Sequence, residues 1–119
     1  MNAAAAHIKT IIDSDAALTA LIPGGLFWEL APEGTEVPFA TFRVEQTPAA
    51  TKNYSGSYRV TFFIWDSTLT KSGVIHEAMK TSIENNDSAT WRFIGATSSY
   101  READAKEAFI ESIFTFNLI

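Results

Sequence analysis

Residues 57–83 constrain the fold more than any other stretch of this chain. The run Ser57-Tyr-Arg-Val-Thr-Phe-Phe-Ile-Trp-Asp66 alternates Tyr58, Val60, Phe62 and Ile64 with Arg59, Thr61, Phe63 and Trp65. β-Branched and aromatic side chains at a period of two define a strand with two distinct faces. Ser67 and Thr68 follow, and their hydroxyl oxygens suit the unpaired N–H groups of a helix start. From Leu69 the period becomes helical. Val74, Ile75, Ala78, Met79, Ser82 and Ile83 share one stripe, while Lys71, His76, Glu77, Lys80 and Glu84 take the other side. Lys80 and Glu84 lie four apart and are placed to pair weakly on the wet face. In such a strand–turn–helix unit each element supplies apolar surface that the other must cover, so the pair is expected at the middle of the core.

The flanking segments read as further layers around that unit. Residues 3–22 read as helix in two pieces. Ile8, Ile11 and Ile12 form a narrow apolar stripe, and Asp13-Ser14-Asp15 interrupts it and caps a second turn. Pro23-Gly24-Gly25 ends the helix. A short strand over 26–30 and a polar loop over 31–37 precede Pro38, which opens a strand over 39–46. That strand sets Ala40, Phe42 and Val44 against Thr41, Arg43 and Glu45. The connection over 47–56 is long for a hairpin, which marks it for contact with something else. After a turn at 85–88 come a strand over 91–100 weakened by Gly95 and a charged turn over 101–106. The last strand, over 108–118, puts Ile110, Phe114, Phe116 and Leu118 on one side. The order α-β-β-β-α-β-β, dominated by hairpin-like neighbours, predicts a single α+β domain over 1–119. Its sheet should be mostly antiparallel, with two helices packed on one face.

Composition removes several classes of function. The 119 residues are 46% apolar and 13% aromatic, which suits one folded domain with a sizeable core. Cysteine is absent, so disulfides, thiolate catalysis and cysteine metal sites are excluded. A net charge of −5, with nine Lys and Arg scattered singly, argues against gripping nucleic acid, because each phosphate contact needs a cation. A membrane-surface role fails on the same count. No run approaches the roughly 20 apolar residues of a membrane span. The N-terminus lacks the charged start and continuous apolar run of a signal peptide.

Catalytic and cofactor signals are poor. His7 and His76 are the only histidines, and both are expected on wet helix faces. His76-Glu77 lacks the second histidine of a metalloprotease helix. No Gly-rich phosphate loop, nucleophile elbow or dinucleotide fingerprint appears. Glu102, Asp104 and Glu107 cluster, but Arg101 and Lys106 lie among them, as in an ordinary solvated turn. No catalytic, cofactor or metal residues are therefore assigned.

The informative surface is the second face of the sheet. Arg43, Glu45, Arg59, Thr61, Phe63, Trp65, Phe109, Glu111, Ile113 and Thr115 should point away from the helices. The exposed face of an antiparallel sheet is usually mostly polar. Burying Phe63, Trp65 and Ile113 is worth about 1.5–3 kcal/mol each, so something should cover them. Either the first helix or the 47–56 loop folds over the face, or the face is a subunit interface, since aromatics with Arg and few Lys are interface composition. Candidate interface residues are Arg43, Glu45, Arg59, Phe63, Trp65, Glu111 and Ile113 on the sheet, with Lys52, Asn53 and Tyr54 in the loop.

Two local motifs carry a family resemblance. One is Ser14-Asp-Ala-Ala-Leu-Thr-Ala-Leu-Ile-Pro-Gly-Gly-Leu-Phe27; the other is Ala31-Pro-Glu-Gly34 followed by Val37-Pro38-Phe39-Ala-Thr-Phe42. Together with the Phe63-Ile-Trp65-Asp66 strand end running straight into a helix, they resemble bacteriophage tail-completion, or tail-terminator, proteins. Phe39 departs from the Tyr of that pattern. The resemblance spans nearly the whole chain and implies a non-enzymatic structural part of the virion tail, assembled in the host cytoplasm. It implies a homo-oligomeric, usually hexameric ring that stops tube growth and joins the tube to the head connector. Its partners would be further copies of itself, the tail tube protein and the connector. DNA would pass through the ring without being gripped, which suits a net negative chain. The rival reading is a cytosolic α+β ligand- or protein-binding module; a small enzyme is a third.

Overall fold

The structure, a computed structural model, describes residues 2–47, 56–85, 90–100 and 108–118. Three helices and five strands follow in the order α1 (Asn2–Asp13), α2 (Ala16–Leu21), β1 (Leu26–Trp28), β2 (Phe39–Thr47), β3 (Gly56–Asp66), α3 (Leu69–Glu84), β4 (Thr90–Tyr100) and β5 (Ala108–Leu118). The strands form one sheet in the order β1-β2-β3-β5-β4. Every pair is antiparallel except β1 with β2. The strand that dominates the sequence pattern is thus the middle strand of the sheet, and the expected α+β architecture is the one observed.

The N-terminal helical region divides where the aspartates fall. Asp15 takes an extended backbone conformation, and its carboxylate accepts from the Leu18 N–H at 3.0 Å, which caps α2 as a separate helix. The two glycines after Pro23 do more than stop the chain. A Cβ on Gly24 would lie 2.5 Å from the Glu36 carbonyl oxygen and 2.7 Å from that of Pro38, and Gly25 has φ +105°. This close approach, tied by the Gly24 N–H to the Pro38 carbonyl at 3.0 Å, sets β1 beside β2 in parallel. β1 then ends at Trp28, short of the expected Leu30, because Glu29 turns the chain with φ 72°. The Val37–Pro38 peptide before β2 is cis.

The core lies between the sheet and the three helices, all on one face. Phe42, Val44, Val60, Phe62, Ile64, Phe114 and Phe116 come from the strands, and Ile8, Ile12, Leu18, Ile75, Met79 and Ile83 from the helices. Phe62 sits at the centre, 5.9 Å from Phe114 edge-on and 6.1 Å from Phe42. Such aromatic pairs add about 0.5–1.5 kcal/mol beyond the area they bury. Thr68 caps α3, its hydroxyl accepting from the Lys71 N–H at 3.2 Å. Lys80 and Glu84 do pair, at 3.7 Å on the helix surface.

The buried stripe of α3 is rotated from the one the sequence suggests. Ser72, Ile75, His76, Met79 and Ile83 face inward, while Val74 is 56% exposed. His76 is therefore no wet-face residue: it is 7% exposed, and its Nε2 lies 2.9 Å from the fully buried Ser112 hydroxyl of β5. A polar residue on the inner face of β5 gave the imidazole a partner, so it could be buried without an unmet hydrogen bond. His7 is half-buried, its ring stacked 6.3 Å from both Trp91 and Phe116.

Candidate interaction surface

The pairing registers array the outer face of the sheet in rows. One row across β2, β3 and β5 is Phe39, Trp65 and Phe109; the next is Thr41, Phe63 and Glu111. Then follow Arg43, Thr61 and Ile113, and finally Glu45, Arg59 and Thr115, with Arg92 of β4 beside Thr115. The face thus grades from aromatic, at the end where β3 enters α3, to charged at the other. Its aromatic end is a continuous cluster: Phe39 stacks 6.1 Å from Trp65, and tilted pairs follow, Trp65 4.5 Å from Phe109 and Phe109 6.4 Å from Phe63.

Seven of the ten sequence-selected residues come together on this surface. Arg43, Glu45 and Arg59 are exposed, whereas Phe63, Trp65, Glu111 and Ile113 are half-buried. Lys52, Asn53 and Tyr54 lie outside the described residues. Thr41 and Thr61 are buried although they are outer-face residues, being short side chains set in register between larger ones. The first helix does not cover this face. Ala4, Ala5, Ile8 and Ile12 of α1 belong to the core on the opposite side. Arg43 reaches Glu29 at 3.9 Å, an exposed pair worth little to stability. Glu45 and Arg59 are opposed in register yet form no ion pair with a described residue.

Sequence reasoning missed the residues at the sheet's two edges. Trp28 and Leu30 are 40% and 83% exposed beside β1, and Ile94 is 49% exposed on β4. Ile94 occupies a bulge, since Phe93 pairs with Phe114 and Gly95 with the adjacent Ile113. Gly95 was the available signal for that irregularity. Phe39 was also missed, though a period of two places it with Thr41 and Arg43. Next to β1 is an apolar groove of about 410 Å³ lined by Ala5, Ala6, Lys9, Trp28 and Phe42.

Among the described residues one pair has catalytic residue types. The His76–Ser112 pair has the residue types of a nucleophile and its base, but Ser112 has no exposed surface and no substrate can reach it. Glu77, 3.7 Å from the His76 Nδ1, has its own side chain 75% exposed and does not lock the ring from within. Burial holds His76 below its ordinary value of 6.5; Glu77 pulls it up and Lys80 pushes it further down. Burial also lowers His7. Among the described residues no three His, Asp or Glu side chains are grouped to hold a metal ion, and no helix is long and apolar enough to cross a membrane.

The class defined so far is a single-sheet α+β domain with helices on one face and a half-aromatic sheet surface on the other. Neither a family model nor a curated protein sequence matches the chain. Among solved structures the fold is similar to a chain of the virion of a native gene transfer agent particle. The TM-score is 0.73 at 12% sequence identity, covering 92% of this chain and 90% of that one. At that identity the likeness is one of fold.

Proposed function

We propose that this chain is a structural part of a phage-like particle, and within it the tail-completion protein. The observation that carries the reading is the match in fold, end to end, to a chain of a virion particle. The Ala31-Pro-Glu-Gly34 and Val37-Pro38-Phe39 motifs support it independently, because the likeness in fold does not depend on sequence. In this reading copies of the chain form a ring at the head-proximal end of the tail tube, block further addition of tube subunits and offer a new surface to the head connector. The work is non-covalent. The outer sheet face, with Arg43, Glu45, Arg59, Phe63, Trp65, Glu111 and Ile113, is the surface that meets tube or neighbour, and Lys52, Asn53 and Tyr54 are further candidate contacts. Phe63 and Trp65 are half-buried before contact, and aromatic and Arg side chains are the types that concentrate binding energy at interfaces.

The direct test is assembly without the chain. In a phage or prophage that encodes it, deletion should give tubes of uncontrolled length without attached heads in electron micrographs, and restoring the chain should rescue both. Normal tubes joined to heads after deletion would rule the proposal out. One feature favours the rival reading of a ligand-binding module, the apolar groove lined by Trp28 and Phe42. A thermal-shift screen that finds a tight small-molecule ligand there would favour that rival.

A further inference from the structure

We propose that the outer sheet face carries a socket for one arginine side chain of a protein partner, with Glu111 as its counter-charge. This rests on the reading of that face as a docking surface and names the residue type the partner brings to it. The socket begins with a missing side chain. Gly95 ends the row Arg43, Thr61 and Ile113, so on β4 nothing stands beside Ile113. A Cβ added at Gly95 would meet nothing beyond its own chain neighbours within 4 Å. The bulge between Phe93 and Gly95 breaks the ladder at the same point. The resulting hollow, about 410 Å³, is lined by Gly95, Ala96 and Thr97 of β4 and by Glu111 and Ile113 of β5.

Glu111 gives the hollow its sign. It is half-buried, with Phe63 of β3 and Thr97 of β4 as its cross-strand neighbours. It belongs to none of the ion pairs among the described residues. Arg43, Arg59 and Arg92 share this face but stand in the rows of Ile113 and Thr115, and none pairs with it. A carboxylate partly withdrawn from water attracts a cation more strongly than a fully exposed one, because solvent and salt screen it less. Arginine fits this site better than lysine. Its methylene stem suits the apolar space between Gly95 and Ile113, and its planar guanidinium can hold the carboxylate through two N–H groups while stacking on Phe63. Lysine is a strongly hydrated point charge and would give up more water for a less directed contact.

Two variants and a small probe test the socket. Glu111→Gln keeps its shape and removes the charge; Gly95→Leu keeps the charge and fills the hollow. Each should weaken co-sedimentation with purified tail tubes by about tenfold or more. The probe is N-acetylarginine amide at millimolar concentration, read through amide chemical shifts of the isotope-labelled protein. It should move the signals of Gly95, Thr97 and Glu111 in the parent and not in E111Q, and the uncharged citrulline analogue should move none. Full tube binding by E111Q with binding lost in G95L would overturn the proposal in favour of an apolar side chain in the hollow. Equal binding by the parent and both variants would also overturn it, while leaving the docking face intact. If the parent binds no tubes, the tail reading falls; arginine-specific shifts would then still support the socket, and shifts that are absent or shared by both probes would remove it too.

Discussion

His76 and Ser112 tie α3 to β5 through one buried hydrogen bond. Ser112→Ala leaves the imidazole nitrogen without its partner and should cost about 1–3 kcal/mol in urea unfolding; an unchanged midpoint would mean that the bond contributes nothing net. The same histidine should make stability depend on pH. Burial depresses its folded pKa below 6.5, so as pH falls the unfolded chain takes up the proton first. Well above 6.5 neither state is protonated and there is no effect; below 6.5 stability should fall until the folded imidazole also titrates. His7 acts with the same sign. Melting temperatures measured through this range should decline less steeply in His76→Gln than in the parent, and equal slopes would contradict the assignment. Gly24 is the described glycine with least room: Gly24→Ala forces a methyl against two carbonyl oxygens and should cost about 1–3 kcal/mol, measured in the same way.

At the scale of elements, helix caps and strand periods were the readable features. Thr68→Ala should lower stability by about 0.5–2 kcal/mol, since the hydroxyl caps the helix that covers the sheet; denaturant titration checks it. The alternation through 57–66 fixed which side chains of β3 face the helices, and with them Arg59, Phe63 and Trp65 on the outer face. The helical stripe was misplaced because a pattern of apolar residues cannot show that Ser112, 36 residues away, would satisfy His76. The parallel pairing of β1 was equally invisible. It depends on the backbone of Gly24 lying against residues 36–38, a tertiary contact with no local signature. The bulge at Ile94 was half visible in Gly95, and the edge patches built on Ile94, Trp28 and Leu30 were not read at all. A lone exposed hydrophobe is ordinary until the strand order shows that it stands on an edge.

For the whole molecule, the proposed reading gives the outer sheet face the work of meeting the tube or a neighbouring copy. Arg43→Ala and Arg59→Ala alter exposed side chains and should leave folding stability within about 0.5 kcal/mol. They should nevertheless weaken co-sedimentation with purified tail tubes; full binding by both variants would move the docking surface elsewhere. The central claim is that the chain is made to assemble and not to turn over a substrate. Light scattering of the purified protein at rising concentration, alone and with tail tubes, tests it most directly. The account predicts a mass that climbs to a fixed whole-number multiple of the 13.1 kDa subunit and stays there. A mass of one subunit throughout, with tubes and without, would contradict it.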